Sequence, residues 1–227
     1  MDWQLNYYPE SSSSGKTFDD WVEELSSKLR GKLYFLEIGA MDGVNHDPLY
    51  EHIVKNSGWI GILVEPVPDM FHKLKKNYRA RKNLKFENSA ITEKNGYAQI
   101  SRIPLEKVNN ETPYWADGIS TLKPDSHIIS QNPELNKHIV KEKIATITFQ
   151  KLAEKYSIKN IDLLQIDTEG YDKQIFDQIW QAGFRPSLIK LEINYMPYKD
   201  IKDLRWLLEN SGYNCFYQGD DLIAVNL

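Results

Sequence analysis

Three apolar runs in this chain each stop at acidic residues: Tyr34-Phe35-Leu36-Glu37-Ile38-Gly39-Ala40-Met41-Asp42-Gly43, Ile60-Gly61-Ile62-Leu63-Val64-Glu65-Pro66 and Leu163-Leu164-Gln165-Ile166-Asp167-Thr168-Glu169-Gly170. A short apolar run is how a strand reads when both faces of its sheet are covered. A carboxyl end rich in acid and glycine is how such a strand reads when it opens on a ligand crevice. Together the three predict a parallel sheet whose acidic strand ends share one rim, suited to a polar, hydroxyl-rich ligand.

The rest of the chain supplies the other parts of such a sheet. Thr17 caps a predicted helix over Phe18–Arg30, with Phe18, Trp21, Val22, Leu25 and Leu29 on one face at helical spacing. After the first strand, Leu33–Ile38, Asp47-Pro48 reads as a cap with proline at the first helical position, opening a helix that runs to about Asn56. Strand Trp59–Glu65, helix Pro68–Tyr78 and strand Leu84–Asn88 follow. This alternation implies parallel strands joined by right-handed crossovers. Gly96–Ile103 alternates like an antiparallel or edge strand. The stretch from Pro104 to about Lys141 is too long for a plain connection and is a candidate lid or substrate loop. Then come strand Lys143–Phe149, helix Gln150–Tyr156, strand Ile161–Ile166, helix Tyr171–Trp180, strand Ser187–Ile193, helix Ile201–Asn210, and a hairpin of Tyr213–Tyr217 and Leu222–Asn226.

The predicted fold is α/β: a three-layer, Rossmann-like sandwich around a mostly parallel seven-stranded sheet closed by an antiparallel C-terminal hairpin. That ending resembles class I methyltransferases, whereas a nicotinamide-binding fold would lack it. At 227 residues and 41% hydrophobic, the chain can bury one sizeable core. The expected organisation is a tail or linker over residues 1–15 and a single domain over 16–227, with the insertion at about 104–141. Ser11-Ser12-Ser13-Ser14-Gly15 reads as flexible. What precedes it could equally be the end of an upstream domain, as in a longer glycan-modifying protein.

A net charge of −4 gives no support for a nucleic-acid partner, and the basic residues from Lys73 to Lys85 read as the solvated face of a helix and its exit turn. No apolar stretch is long enough to span a bilayer, and Met1-Asp2-Trp3-Gln4 lacks the basic start and apolar core of a signal peptide, so the expected address is cytoplasmic, with no membrane partner. The single cysteine, Cys215, excludes an internal disulfide and a cysteine zinc cluster.

Around Gly39 the chain has Met41 and Val44 where a dinucleotide fingerprint would need its second and third glycines. A pyrophosphate would not be approached closely there. S-adenosylmethionine has none, and needs a close turn beneath its methionine part and a carboxylate for its ribose hydroxyls. Gly39 and Gly43 suit the turn, and Glu65 suits the hydroxyls. Asn88, Ser89 and Ala90, at the end of the third strand, either present small polar groups to the adenine edge or form a simple turn.

These segments resemble the FkbM family of S-adenosylmethionine-dependent O-methyltransferases. The resemblance rests on Glu37-Ile38-Gly39-Ala40-Met41-Asp42-Gly43, Val64-Glu65-Pro66, Asn88-Ser89-Ala90-Ile91, Gly118-Ile119-Ser120-Thr121-Leu122, Ile166-Asp167-Thr168-Glu169-Gly170-Tyr171-Asp172 and Leu191-Glu192-Ile193-Asn194. It spans about residues 32 to 226, and I-D-x-E-G is its most specific part. The usual family turn reads G-A-N; Met41 stands here in place of the asparagine. The resemblance implies methyl transfer to a hydroxyl oxygen, with sugars, glycans and polyketide-type products as the usual acceptors. It places Glu37, Gly39 and Glu65 at the cofactor and sets Asp167, Glu169 and Glu192 on the acceptor side; Ala40, Asp42, Gly43, Pro66 and Asp167 are further candidates for contact with the cofactor.

An alcohol becomes a useful nucleophile only as its proton leaves, which calls for a general base within reach. Asp167 and Glu169 lead the candidates, followed by Glu192, Asp172 and the loop residue His127. Alternatively Asp167, Glu192 and Asn194 would hold a divalent ion such as magnesium, a route less favoured here than a side-chain base. Tyr114 and Trp115 in the long loop are candidates to stack on a sugar face, with Ser120 and Thr121 beside them, against the plainer reading that the aromatics pin the loop to the core. A nucleic-acid base methyltransferase would share the cofactor half, but two carboxylates at 167 and 169 would repel a phosphate backbone. A non-catalytic module that kept the fold is the remaining alternative.

Overall fold

The computed structural model describes residues 15–108, 116, 119–126 and 133–227. Helix α1 (Phe18–Lys28) is set by a reciprocal cap: Asp20 N–H donates to the Thr17 hydroxyl, and Thr17 N–H donates to Asp20 Oδ2 at 2.8 Å. Then follow β1 (Tyr34–Ile38), α2 (Tyr50–Lys55), β2 (Ile60–Val64), α3 (Pro68–Asn77) and β3 (Leu84–Glu87). A second group comprises β4 (Ala90–Ile91), β5 (Gly96–Arg102), β6 (Ser120–Thr121) and β7 (Val140–Ile147). The chain ends with α4 (Phe149–Tyr156), β8 (Leu163–Ile166), α5 (Asp172–Gln181), β9 (Leu188–Glu192), α6 (Tyr198–Asn210), β10 (Asn214–Gln218) and β11 (Asp221–Val225).

Among the described residues the main sheet has seven strands in the order β10-β11-β9-β8-β1-β2-β3. From β9 to β3 all neighbours are parallel, and β11 lies antiparallel to both β9 and β10. The expected sheet with its C-terminal hairpin is thus present. Beyond it stands a small four-stranded sheet, β4-β7-β5-β6, which absorbs the strands predicted at Gly96–Ile103 and Lys143–Phe149. Within 104–141 the described residues form short 3₁₀ turns at Leu105–Lys107, Pro124–Ser126 and Pro133–His138, together with β6 and the start of β7.

Helices cover both faces of the main sheet, and each face has its own core. Leu36, Ile38, Leu164, Ile166, Ile189 and Leu191 pack with Phe176 and Leu204 on one side. Phe35, Leu63, Leu163, Leu188 and Ile223 pack with Phe18, Trp59 and Leu74 on the other. Because side chains alternate along a strand, this second face also carries Glu37, Gln165 and Lys190, which register places side by side across β1, β8 and β9. The face is therefore apolar at the amino ends of these strands and polar at their carboxyl ends. No helix among the described residues is long and apolar enough to cross a membrane.

One expected boundary is corrected. The helix predicted to open at Asp47-Pro48 begins at Tyr50, because Asp47 Oδ1 accepts the N–H of Leu49 at 2.7 Å and holds residues 47–49 in a turn. The turn carries Asp47 to the rim of the sheet.

Candidate active site

At the carboxyl ends of β1, β2 and β8 lies a cavity of about 240 Å³. Its lining includes Glu37, Gly39, Ala40, Glu65, Pro66, Ser89, Ala90, Ser120, Asp167 and Glu169. The three acidic strand ends therefore do converge. Gly39 lies at the tightest point: its φ is +88°, and a Cβ there would lie 1.7 Å from the backbone oxygen of Asp167. Only glycine lets the first turn pass so close to the end of β8.

Glu65 is 2% exposed, and each of its oxygens accepts a backbone N–H, from Met41 at 2.8 Å and from Val67 at 2.7 Å. Burial pushes its carboxyl up to about 8 against the pull of these two donors. Each oxygen keeps a further lone pair for a ligand hydroxyl.

At the carboxyl ends of β8 and β9 lies a second acidic group. Carboxylate oxygens of Asp167, Glu169 and Glu192 lie within 4.8 Å of one another. The loop bearing them is held from three directions. Asp172 accepts the N–H of Thr168 at 2.9 Å and of Gly170 at 3.0 Å, Glu192 accepts that of Glu169 at 3.1 Å, and the Thr121 hydroxyl donates to the Glu169 carbonyl at 2.7 Å. Glu169 itself sits in the left-handed region at φ 57°. Burial, reinforced by mutual repulsion, raises Glu169 and Glu192 well above the ordinary carboxylate range. Asp167 is raised by burial too, opposed by Lys190. Such a carboxyl binds a proton more tightly than an ordinary one, and serves as a base only once it is ionised.

Several expected site residues have other work. Asp42 folds its own turn, accepting from the N–H groups of Val44 and Asn45, and stands outside the cavity lining with Gly43. Asn88 braces the loop after β2 by donating to the carbonyls of Glu65 and Pro66, and Ser89 and Ala90 line the cavity. Thr121 is 1% exposed and its hydroxyl is committed to Glu169, so it positions the acidic loop and does not face an acceptor. Asp172 is likewise a brace, with both oxygens taken by backbone donors. The compact acidic trio is Asp167, Glu169 and Glu192, and neither Glu192 nor Asn194 is in the cavity lining. Tyr114, Trp115 and His127 lie outside the described residues.

Sequence reasoning missed Asp47, read as a helix cap, and Gln165, read as one more residue of an apolar run. It also gave no role to His46, which lines the same cavity. The signal for Gln165 was present: a glutamine two residues from the end of a buried strand needs a partner.

Comparison with known proteins places the fold and the family. A search of curated protein sequences gives no match. Among solved structures, the chain is similar to the methyltransferase FkbM from Methylobacillus flagellatus KT, with a TM-score of 0.51 at 12% identity over 86% of this chain. The chain spans 44% of the length of that protein. It is more distantly similar to the METTL16 methyltransferase domain, with a TM-score of 0.45 at 14% identity over 90% of this chain and 65% of that one. For a fibrillarin/Nop5p complex the values are 0.44, 15%, 96% and 91%. Neither of these last two bears on the site. The family model of the methyltransferase FkbM domain matches residues 37–215, from the acidic end of β1 to the hairpin, and the chain belongs to the FkbM methyltransferase family.

Proposed function

We propose that the protein is an S-adenosylmethionine-dependent O-methyltransferase acting on a hydroxyl group of a sugar or glycan. The observation that carries this reading is that Glu65 and two members of a separate acidic trio, Asp167 and Glu169, line one cavity together with Gly39. The oxygens of Glu65 face the first turn, and the trio Asp167, Glu169 and Glu192 gathers at the end of β8.

The residues present fit the cofactor. Glu65 is positioned to accept from ribose hydroxyls, Gly39 and Ala40 form the close turn, and buried acceptor oxygens of Glu37 and Gln165 have no donor among the described residues. S-adenosylmethionine, when bound, supplies an electrophilic methyl group. Asp167 and Glu169 stand where the cavity meets the acidic loop, so either can take the proton of an acceptor hydroxyl while holding the oxygen in line. Glu192 keeps Glu169 in place by accepting its backbone N–H, while burial, with Asp167 and Asp172 nearby, raises the Glu169 carboxyl. The trio is equally a set of oxygen ligands for a divalent ion, which would lower the pKa of the acceptor hydroxyl instead.

A hydroxyl-rich acceptor suits a rim of carboxylates, each able to accept two hydroxyl hydrogen bonds. Polyanionic acceptors such as nucleic acid are disfavoured by the same charge. The direct test incubates the protein with S-adenosylmethionine and a panel of free sugars and glycans. Mass spectrometry should find the gain of one methyl group in place of a hydroxyl hydrogen. Heat of binding with S-adenosylmethionine but methylation confined to non-carbohydrate hydroxyls would overturn the acceptor class. Absence of any binding would overturn the cofactor and leave a non-catalytic module.

A further inference from the structure

From Met70 to Phe86 the chain carries seven Lys and Arg and no Asp or Glu. Of its 28 Lys and Arg, the other 21 are set against all 32 Asp and Glu, so a modest net charge conceals a segregated one. Six of the seven, Lys73, Lys75, Lys76, Arg79, Lys82 and Lys85, form no ion pair among the described residues. Lys75 and Lys76 close the last turn of α3, where the helix dipole favours a cation. Arg79 and Lys82 lie beyond the helix, without that cause.

The seventh, Arg81, fixes where the patch lies. It donates to the carbonyls of Ile53 and of Asn56, the latter at 2.7 Å, and Asn83 donates to the Ser57 carbonyl at 3.0 Å. The basic turn after α3 is thereby clamped to the end of α2. That end of the molecule also exposes apolar side chains. Val54, in the last turn of α2, is 52% exposed; Tyr34 and Ile60, partners in register at the starts of β1 and β2, are 45% and 40% exposed. Two acids there are already engaged, Glu23 by Lys55 at 3.2 Å and Asp162 by the N–H of Tyr34 at 2.8 Å. Unpaired cations and exposed apolar groups thus meet at the amino ends of the strands, opposite the cavity.

We infer that this end of the molecule is a docking surface for an anionic lipid bilayer. The chemistry separates such a partner from a nucleic acid, which is held by a groove tracking its backbone and by aromatic faces on which bases stack. Here the surface is the outer side of a helix, a turn and the first residues of strands, and Val54 and Ile60 offer nothing to a base or a phosphate. Five of the six unpaired cations are lysines, point charges on flexible stems that suit a diffuse layer of headgroups. Val54, Ile60 and the Tyr34 ring supply apolar surface for the boundary between headgroups and acyl chains. No helix among the described residues is long and apolar enough to cross a membrane, so the association is peripheral and weakened by salt. The cavity, at the other end of the strands, stays on the aqueous side, so docking does not block it.

Co-sedimentation of the full chain with vesicles tests this, using phosphatidylcholine alone and phosphatidylcholine with about one third phosphatidylserine. The protein should sediment with the anionic vesicles only, and raising salt from about 0.05 M to about 0.5 M should weaken binding by more than about tenfold. Lys76→Gln, Arg79→Gln and Lys82→Gln combined should cost about a hundredfold, about fivefold for each cation. Val54→Ser with Ile60→Thr should cost about tenfold and leave the salt dependence in place. All five positions are exposed and outside the cavity lining, and a thermal melt verifies the fold of each variant. Equal binding to both kinds of vesicle, or to neither, overturns the inference, as does either set of substitutions that binds like wild-type protein. Tighter binding to a single-stranded oligonucleotide than to the anionic vesicles overturns it too and assigns the patch to nucleic acid. If the variants do not fold, the wild-type comparison of lipids and salt decides alone.

Discussion

The N–H of Met41 donates to Glu65 Oε2 at 2.8 Å, tying the turn after β1 to the carboxyl end of β2. The other oxygen holds Val67 N–H at the entry to α3, so one carboxyl group braces two loops of the cavity. Glu65→Ala leaves both buried donors without their acceptor. It should destabilise the protein by about 2–4 kcal/mol, at about 1–3 for each orphaned group less some relaxation. It should also weaken S-adenosylmethionine binding. Chemical denaturation and titration calorimetry measure the two effects separately; unchanged affinity in a folded variant would remove the ribose assignment.

The same group gives a pH dependence of known sign. The Glu65 carboxyl is raised from the ordinary 4.5 to about 8 by burial, so between these values the fold keeps a proton that the unfolded chain has released. Stability contributed in this way is present at low pH and is lost as pH rises through that window. Glu37, Glu169 and Glu192, also raised by burial, act in the same direction. The ligand-free protein should therefore melt at a lower temperature at pH 8 than at pH 5.5, as scanning calorimetry would register. A melting temperature that rises over this interval would show that these groups are ionised in the fold.

Much of this was legible in the sequence, for identifiable reasons. The apolar run Leu163–Ile166 is buried at every position, and Ile60–Val64 is buried at Gly61, Leu63 and Val64 with Ile60 exposed at its start, so pattern and environment largely agree and the strands could be found directly. Glu65 and Asp167 were found because they sit at strand ends. What was not legible depends on contacts far apart in sequence. The pairing of Thr121 with Glu169 joins the small sheet to the loop after β8, and no local pattern encodes it. Asp47 followed by proline has the local form of a helix cap, yet its carboxyl lies buried beside Glu37 of β1. The small sheet was missed because β4 and β6 are two residues long, too short to show a period.

Gly39 offers a test of the close approach between β1 and β8. Its left-handed φ and the 1.7 Å overlap that a Cβ would make with the Asp167 carbonyl oxygen leave no room for alanine. The clash is with backbone, which cannot swing aside. Gly39→Ala should cost more than about 3 kcal/mol, or prevent folding, through strain added to overpacking. Gly183 also has a positive φ but has nothing within 4 Å, so Gly183→Ala carries the strain without the clash. Equal melting temperatures for the two variants would mean the turn can open.

Thr121 acts through Glu169 and should behave as a positioning residue. Thr121→Val removes the donor to the Glu169 carbonyl while keeping the shape of the side chain. Turnover should fall by about tenfold, from misplacement of the acidic loop, with little change in cofactor affinity. Thr121→Ser, which keeps the hydroxyl, should restore most of the rate. A serine variant as slow as valine would point to packing of the methyl group as the cause.

The acidic trio can act in two ways that make opposite demands on the solution. If Asp167 or Glu169 takes the acceptor proton directly, turnover must rise with pH as the carboxyl group loses its own proton, because only the ionised form can accept one. Their raised pKa values place that rise above the ordinary carboxylate range, and EDTA should leave the rate unchanged. Asp167→Asn and Glu169→Gln should then each cut kcat by about a hundredfold or more, within the usual range for loss of a general base, while cofactor affinity moves far less. If the trio instead holds a divalent ion, the ion neutralises the carboxylates and lowers their pKa values. The pH profile then moves to lower pH and EDTA abolishes the rate, with recovery on adding magnesium. Rates measured from pH 5 to 9, with and without chelator, separate the two. Wild-type rates in both single variants would remove the acidic loop from the chemistry altogether.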